Sequence, residues 1–385
     1  MKKRPLVGIG TDTTMKFGRE LMRGVLRYAN ARRHWLVHEE MRVNQPTLPN
    51  WPQCDGAILA GAEPEVLALI RRQCRHLVIC SGNYNSADQP IVCADSLAIG
   101  RMAAEHLADC GLRHFAFYGR SGEAVAERRY TGFKKALEAR GYSAAVSPVT
   151  WPATYYWVGR SHWPALTSWI TALPKPVGIF AQDDMAAHDL AALCQEHNIA
   201  VPDTVAIIGV NDDDLLCESA WPPLSSVRVD FSQVGYLAAR QLDRMLNGEP
   251  IPAAERWLEV APAGVAARQS TAVLAVDEPH VATAIAYIRD HACDPCSVDK
   301  VVAQAPVNRR WLERQFAQKL GRTIHGQITR ERMKMAIRLL SDSDDTLEQI
   351  SNRCGYSEVQ HFCRAFRQSQ GLPPGRFRRR QSEQA

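Results

Sequence analysis

One pattern occurs twice near the carboxyl end of the chain, fifty positions apart. Each copy places an apolar, a basic and an aromatic side chain at alternate positions: Leu312, Arg314 and Phe316, then Phe362, Arg364 and Phe366. Both copies lie in short segments with helical periodicity that follow a tight turn. Because paired helix-turn-helix units can set two helices in the grooves of one duplex, the repeat predicts an all-α domain that binds DNA.

The positive charge of the chain is confined to the same region. Residues 277–385 contain 18 Lys and Arg against 13 Asp and Glu, whereas the residues before them are balanced at 28 against 28. A basic surface attracts a polyanion, so this distribution favours a nucleic-acid partner for the carboxyl-terminal third.

The periodicity predicts helix-turn-helix units at about residues 298–320 and 346–370, joined by a helix through 333–340. Asn308 and Ser357 precede the second helix of each unit and are residue types that cap helices. Once the apolar positions face inward, seven candidate DNA-binding side chains remain on the outer faces: Arg309, Arg310, Glu313 and Arg314, then Gln360, Cys363 and Arg364.

The chemistry of these side chains suits base recognition. Arg can bind guanine O6 and N7 with two hydrogen bonds, Gln can do the same with adenine, and Glu can accept from the amino group of cytosine. One such helix in isolation is more often a solvated face. Two matched units in a basic region favour the DNA-binding interpretation.

The first 271 residues alternate short apolar runs with helical patterns, as in a parallel α/β sheet. Strands are predicted at Leu6–Ile9, Gly56–Ala60, Leu77–Cys80, Ile91–Ala94, Phe115–Tyr118, Val177–Ala181 and Val205–Val210. Helices are predicted at Arg19–Ala29, Ala98–Leu107, Arg129–Ala139, Met185–Glu196 and Val234–Met245. We therefore expect two α/β lobes with a ligand cleft between them.

Length and cysteine usage bound the rest. A chain of 385 residues predicts two or three domains. The amino-terminal apolar run ends at Thr11, too short for a signal peptide or a membrane span, so we expect a cytoplasmic protein with no membrane partner. The 11 cysteines have no framework spacing, and we expect reduced thiols rather than disulfides.

Catalytic motifs fail on spacing. Thr13 stands where a dinucleotide-binding fingerprint beginning at Gly8 needs its third glycine, and Walker A, HExxH and GxSxG motifs are absent from the sequence. Cys293 and Cys296 with nearby His291 offer at most three ligands where structural zinc needs four. We expect no enzymatic activity, no cofactor and no metal.

An ordered series of segments up to residue 271 resembles the effector-binding core that the lac repressor family shares with periplasmic sugar-binding proteins. The segments are Asp95–Leu107, Gly111, His114–Gly119, Arg129–Phe133, Ile179–Asp183, Val201–Gly209, Pro223–Val227 and Arg268–Thr271. The resemblance implies a two-lobed fold like that of a periplasmic binding protein. The lac-repressor headpiece, an amino-terminal helix-turn-helix, has no counterpart before the first predicted strand.

The carboxyl-terminal region resembles the DNA-binding domain of the arabinose-operon activator (AraC) family. The matching positions are Val281–His291, Arg332, Ala336, Leu339, Leu340, Gly371–Pro374, Phe377 and Arg378. A sugar-binding core followed by such a domain is similar to the family of xylose operon regulatory proteins. The resemblance implies an effector-binding domain at 1–271, with crossings between its lobes near 95, 230 and 258, a linker at 272–280 and an AraC-type domain at 281–385.

The resemblance also implies partners and effector contacts. We expect a homodimeric transcription regulator whose operator binding is controlled by a monosaccharide, a pentose such as D-xylose. RNA polymerase is left open as a further partner. The expected effector contacts lie at strand ends or helix starts: Asp12, Arg129, Gln182, Asp183, Asn211 and Asp212. Asn211 stands where the family commonly has Asp, which leaves the exact sugar open. Asp12 has a second interpretation as a solvated turn carboxylate.

Two alternatives remain open. Trp151, Trp157, Trp163 and Trp169 could stack on a sugar ring in the cleft or pack in the core. The chain could also be a cytoplasmic sugar-binding or sugar-processing protein whose carboxyl-terminal domain is a protein-interaction module, and DNA affinity separates the two functions.

Overall fold

A computed structural model describes residues 4–32, 35–40, 51–61, 64–84, 89–151, 160–273, 279–320, 322–343 and 345–382. The chain divides into two compact units, residues 1–273 and 274–385. None of the described helices is long and apolar enough to cross a membrane.

Strands occur only in the first unit of the described chain, and helices occur in both. The strands are β1 Leu6–Gly10, β2 Leu36–Glu40, β3 Cys54–Leu59, β4 Cys74–Ile79, β5 Ile91–Ala94, β6 His114–Tyr118, β7 Ala144–Val146, β8 Val177–Ala181, β9 Val205–Val210, β10 Ser225–Val227, β11 Trp257–Val260 and β12 Val265–Ala266. The helices are α1 Lys16–Arg32, α2 Pro64–Gln73, α3 Ser96–Asp109, α4 Ala124–Glu138, α5 Trp163–Ala172, α6 Asp184–Glu196, α7 Asp214–Ser219, α8 Phe231–Leu246, α9 Pro279–His291, α10 Val298–Val302, α11 Arg309–Leu320, α12 Ile324–Asp342, α13 Leu347–Arg353, α14 Val359–Gln370 and α15 Pro374–Ser382.

The first unit has two lobes, each built on a six-stranded sheet. The first sheet has the order β11-β5-β4-β3-β1-β2 and is parallel throughout. The second has the order β12-β10-β9-β8-β6-β7 and is parallel except for β12. The prediction of two parallel α/β lobes is confirmed.

The chain crosses between the lobes three times. Two crossings follow β5, at residue 95, and β10, at 228–230. The third follows β11 and lies at 261–264 rather than near 258. Residue 258 is inside β11 because this strand continues the first sheet beside β5 before the chain leaves the lobe.

Each lobe packs two helices at very short distance through glycines. A Cβ on Gly24 of α1 would lie 1.9 Å from the carbonyl oxygen of Ser232 at the start of α8. In the second lobe, a Cβ on Gly100 of α3 would lie 1.9 Å from the carbonyl oxygen of Arg129 on α4. Any larger side chain would push these helices apart, so the glycines set the distance between the two helices in each lobe.

The cysteines differ from expectation at one place. Cys54 and Cys74 form a disulfide, whereas we predicted none. The two residues begin the adjacent strands β3 and β4 and face each other in register, a pairing that their 20-residue separation in sequence does not reveal. The other described cysteines are free thiols.

The second unit is all-helical and has two apolar cores that share α12. The first half of α12 packs with α9, α10 and α11 around Phe316, and the second half packs with α13, α14 and α15 around Phe362 and Phe366. Each core contains one helix-turn-helix, so the predicted pair of units and the connecting helix are confirmed. Arg332 on α12 joins them, because its Nε donates to Ala292 O at 2.7 Å and its guanidinium lies 5.1 Å from the ring of Tyr356.

Candidate effector cleft and nucleic-acid interface

Three predicted effector residues form one chain of contacts in the second lobe. Arg129 on α4 is buried and donates through Nη1 to the carbonyl oxygen of Gln182, which follows β8. The side chain of Gln182 accepts from the backbone N–H of Arg120 at 2.6 Å and donates to Asp183 Oδ2 at 3.1 Å. Arg129, Gln182 and Asp183 are therefore brought together at the carboxyl ends of the strands, where a parallel sheet binds its ligand.

Asp183 also has a structural task. Its Oδ1 accepts from the backbone N–H of Ala186 at 2.8 Å, which caps α6. The second carboxylate oxygen accepts from the Gln182 amide, so both oxygens have a partner.

Asp12 follows β1 in the first lobe. It is only 7% exposed, so the interpretation as a solvated turn carboxylate is wrong. Its Oδ1 accepts from the backbone N–H of Thr14 at 3.0 Å and from the Thr14 hydroxyl. These bonds fix the loop that leads into α1.

The loop after β9 is held by three consecutive backbone amides. Asn211 N donates to Val227 O at 3.0 Å, Asp212 N to Ser226 Oγ at 2.9 Å, and Asp213 N to Asp184 Oδ2 at 2.7 Å. Asn211 and Asp212 have φ of 105° and 54°, a region that non-glycine residues adopt at a cost of about 1–3 kcal/mol. Strain of this kind is common where a loop must present a particular side chain.

The two predicted residues of this loop differ in what their side chains do. Asp212 Oδ1 lies 2.7 Å from Arg268 Nη1, so the carboxylate already has a cationic partner. Asn211 Oδ1 is buried and has no hydrogen-bond partner among the described residues. An orphaned buried acceptor is costly, so Asn211 is the better candidate for a contact with a ligand hydroxyl.

Asp184 supports the same loop from α6. It is fully buried and accepts from the Ser226 hydroxyl at 2.6 Å as well as from Asp213 N. Burial, opposed by these two hydrogen bonds, raises the pKa of Asp184 to about 8. A neutral carboxyl therefore holds the loop near neutral pH.

Three of the four tryptophans in residues 151–169 are described, and these three belong to the core. Trp151 and Trp163 are buried and Trp169 packs against them in the second lobe. Trp163 Nε1 donates to Asp189 Oδ1 at 2.9 Å. Trp157 lies outside the described residues.

The first set of predicted DNA-binding residues lies on α11 in the carboxyl-terminal unit. These residues are exposed, and some of them form ion pairs. Arg309, Arg310, Glu313 and Arg314 are all exposed on α11, and Asn308 caps the helix by accepting from Trp311 N at 2.8 Å. Arg309 is paired with Glu313 and with Asp299 of α10. Arg310 and Arg314 make no ion pair within the described part of the chain.

The second outer face lies on α14. Gln360 and Arg364 are exposed, whereas Cys363 is half-buried against the second core, which reduces what it can offer to a base. Ser357 is not the cap we expected. Glu358 occupies the N-cap position without a side-chain hydrogen bond, because the helix begins one residue later than the sequence suggested.

Cys293 and Cys296 of the CxxC are half-buried, and burial raises the pKa of both thiols. His291 Nδ1 lies 3.0 Å from Asp294 Oδ2. No group of three or more His, Cys, Asp and Glu side chains in the described ranges is placed to hold a metal ion.

Comparisons with known proteins agree with this geometry. Residues 104–271 match a periplasmic binding protein-like domain and residues 301–380 match a helix-turn-helix domain. The xylose operon regulatory protein of Escherichia coli K12 is 29% identical over 99% of this chain and 98% of its own length. That of Haemophilus influenzae is 28% identical over 94% and 95%. A solved structure described as a xylose-binding transcription activator is 27% identical, covers 98% of both chains and has a TM-score of 0.76.

The chain is similar over nearly its whole length to xylose operon regulatory proteins. It joins a periplasmic binding protein-like domain to a helix-turn-helix domain, and it is a sugar-binding regulator of DNA binding. A protein-interaction role for the carboxyl-terminal domain is not favoured.

Sequence reasoning missed several residues that organise the cleft of this regulator. Asp184, Asp213 and Ser226 hold the loop after β9. From the other lobe, Lys16 contacts this loop and Asn83 contacts the start of α4. The adjacent acidic residues at 183–184 and 212–214 could have indicated from the sequence that Asp184 and Asp213 belong to the site. Nothing in the sequence marks Lys16 or Asn83, because their contacts depend on how two lobes face each other.

Proposed function

We propose that this protein is a transcription activator that binds D-xylose between the lobes of its first unit. The bound sugar changes how its two helix-turn-helix units bind an operator. The full-length relatives named for the xylose operon, and the solved structure described as xylose-binding, support this choice of sugar. The activity is regulatory rather than enzymatic.

The observation that carries the proposal is the polar set at the strand ends. Arg129, Gln182 and Asp183 form a contiguous group, and Asn211 offers an unsatisfied acceptor on a strained, fixed loop. A pentose presents hydroxyls that both donate and accept, and this set supplies a cation, amides and a carboxylate for them. Asp12 and Asp212 complete the candidate set from the two sides.

For the DNA interface, we propose that Arg310, Arg314, Gln360 and Arg364 read bases in two successive segments of the major groove. Arg309, Glu313 and Cys363 remain candidates, but we expect them to contribute less to DNA binding. Arg309 and Glu313 are paired with each other, and Cys363 is half-buried. We further propose that the protein acts as a homodimer on chromosomal DNA in the cytoplasm. Its effector-binding domain ends near residue 271, and its DNA-binding domain begins near residue 281.

The test is operator binding by the full chain with and without sugar. Duplexes selected from a random pool by the protein serve as the operator, and D-xylose, L-arabinose, D-ribose and D-glucose are compared. We expect D-xylose to change affinity or the protected pattern, since a ligand shifts an equilibrium only through differential affinity for its states. Identical binding with all four sugars would refute the proposed effector.

Transcription in vitro with RNA polymerase separates activation from repression. We expect transcript from a promoter next to the selected site to rise when D-xylose is added. Sedimentation of the same protein at several concentrations tests the homodimer.

A further inference from the structure

The two lobes of the first unit touch through the amino termini of two helices. Lys16 N, the first backbone amide of α1 in the first lobe, donates to Asp213 Oδ2 of the second lobe at 2.9 Å. Val125 N, in the first turn of α4 in the second lobe, donates to Asn83 Oδ1 of the first lobe at 2.9 Å. Each lobe therefore caps a helix of the other.

The helix α4 has no equivalent cap from its own N-cap residue. Glu123 occupies the N-cap position of α4 and its side chain makes no capping bond. It instead accepts from Asn83 Nδ2 at 2.8 Å, so a single amide side chain satisfies both a donor and an acceptor across the cleft. The first N–H groups of a helix have no hydrogen-bond partner within the helix. When the cap is removed, one of these groups loses its acceptor.

The Lys16 side chain adds to the first contact. Its Nζ donates to the carbonyl oxygen of Asp212 and lies 3.5 Å from Asp214 Oδ1. Asp213 belongs to the loop fixed by Asp184 and Ser226, so the cap is presented by a rigid element. At the second contact the lobes are equally close, since a Cβ on Gly82 would lie 3.2 Å from a methyl of Val125.

We propose that these reciprocal caps, Asp213 on α1 and Asn83 on α4, are the device that holds the cleft closed and sets how readily it opens. Opening strips the caps from both helices in one event because each cap and its helix lie on different lobes. The two contacts are consequently coupled through the opening equilibrium although no hydrogen bond or ion pair joins Asn83 to Lys16 among the described residues. Asp213 and Asn83 are positioning residues that act on effector release through closure.

Amide hydrogen exchange of the full chain without sugar tests the coupling directly. Overlapping peptides report the Lys16 and Val125 amides in the wild type, in Asn83→Ala and in Asp213→Ala. We expect Asn83→Ala to speed exchange at Lys16, which it does not touch, about fivefold, the loss expected for one cap, and Asp213→Ala to do the same at Val125. Exchange that rises only at the helix whose own cap was removed would overturn the proposal.

Two further variants serve as controls for the exchange measurement. Asp109→Ala removes an exposed acid of the second lobe that pairs with Arg140 at 2.8 Å, and it should leave both amides unchanged. Asp213→Asn keeps an acceptor oxygen for Lys16 N and should restore most of the protection. Thermal melting of each variant verifies that it is folded, and an exchange rate that rises equally in Asp109→Ala would also overturn the proposal.

A second measurement extends the coupling to the effector, and only this arm rests on the proposed function. The dissociation rate of D-xylose should rise about fivefold in Asn83→Ala, a residue outside the proposed sugar contacts, because bound sugar leaves only when the cleft opens and one cap that opposes opening is gone. If no variant or wild type binds D-xylose, the exchange result still decides whether the caps are coupled. An unchanged dissociation rate together with coupled exchange would separate closure from effector binding and overturn the second part of the proposal.

Discussion

Arg309 Nε donates to Glu313 Oε1 at 2.8 Å, one helical turn along α11, while its Nη1 donates to Asp299 Oδ1 at 2.7 Å. Two of the side chains expected to face DNA are thus paired with each other in the free protein. An exposed ion pair is weak, so a phosphate or a base can displace it, but part of the binding free energy is spent on doing so. Arg310 and Arg314, which carry no such pair within the described residues, are free of that cost.

This pairing ranks the arginines by their effect on operator binding. We expect Arg310→Ala and Arg364→Ala each to weaken operator binding by about 1–3 kcal/mol if they read bases, and Arg309→Ala to weaken it less. Titration of labelled operator with each variant measures the difference. An equal loss on a random duplex would assign the residue to phosphate contact instead.

Arg353→Ala is the matched control for these variants. Arg353 is exposed in the same unit, but it pairs with Asp345 and lies on α13, outside the predicted reading helices. Removing it changes the charge by the same amount. If Arg353→Ala weakens operator binding as much as Arg364→Ala, the loss reflects net charge rather than recognition.

Buried strands were the most predictable part of the fold. Val177–Ala181 and Val205–Val210 were placed at their exact bounds because strands in the middle of a parallel sheet are apolar at every position. The edge strand Ala144–Val146 was missed, since it is short and partly exposed and resembles a loop. The helix-turn-helix repeat was recognisable because its buried positions recur at fixed helical spacing.

The site was less predictable than the fold. Gln182 and Asp183 could be found because the end of a strand and the start of a helix mark the cleft. The bond between Lys16 and Asp213 spans 197 positions and exists only when two lobes face each other. Periodicity carries no information about such a contact, and neither does the residue type of Lys16.

Asp183 combines two roles, and two substitutions separate them. Asp183→Asn keeps an oxygen to cap α6 at Ala186 N but removes the charge that a sugar hydroxyl would meet. We expect it to abolish the response to D-xylose while melting close to the wild type. Asp183→Ala should lose the response and also about 1 kcal/mol of stability, because the cap is gone.

Operator affinity without sugar checks this interpretation. Both Asp183 variants should bind the selected duplex nearly as well as the wild type, since the residue lies in the first unit. A variant that loses basal DNA affinity and the sugar response together would show that Asp183 is needed for folding rather than for effector contact.

Asp184 gives the protein a pH-dependent stability. Burial raises its pKa to about 8 from 3.8, so between these values the folded state holds a proton that the unfolded state has released. The stabilisation is complete below about pH 4 and is lost as the pH rises through about 8. Relative to Asp184→Asn, the wild type should lose up to about 1.4 kcal/mol of unfolding free energy per pH unit across this window.

Denaturant unfolding of the wild type and Asp184→Asn at several pH values between 5 and 8 measures this slope. The variant mimics the neutral carboxyl and keeps groups to meet Ser226 Oγ and Asp213 N. Parallel stability curves for the two proteins would mean that Asp184 is ionised in the folded state.

Gly355 tests how tightly the second helix-turn-helix packs on the first. It has φ of 75°, and a Cβ there would lie 2.7 Å from the carbonyl oxygen of Cys293, in the segment after α9. Gly371 has nearly the same φ of 74° with nothing within 4 Å of its Cβ position. Alanine at either glycine costs about 1–2 kcal/mol for the left-handed backbone, and Gly355→Ala should cost about 1–3 kcal/mol more for the close contact.

The contact between Gly355 and the segment at Cys293 should also affect operator binding. Arg332 bonds the same segment, so pushing it away from Gly355 disturbs the separation of the two reading helices. Gly355→Ala should therefore weaken binding to the full selected site more than binding to a duplex that contains half of it, whereas Gly371→Ala should affect the two duplexes alike. Equal unfolding free energies for the two variants, measured by denaturant titration, would contradict the close approach on which this prediction depends.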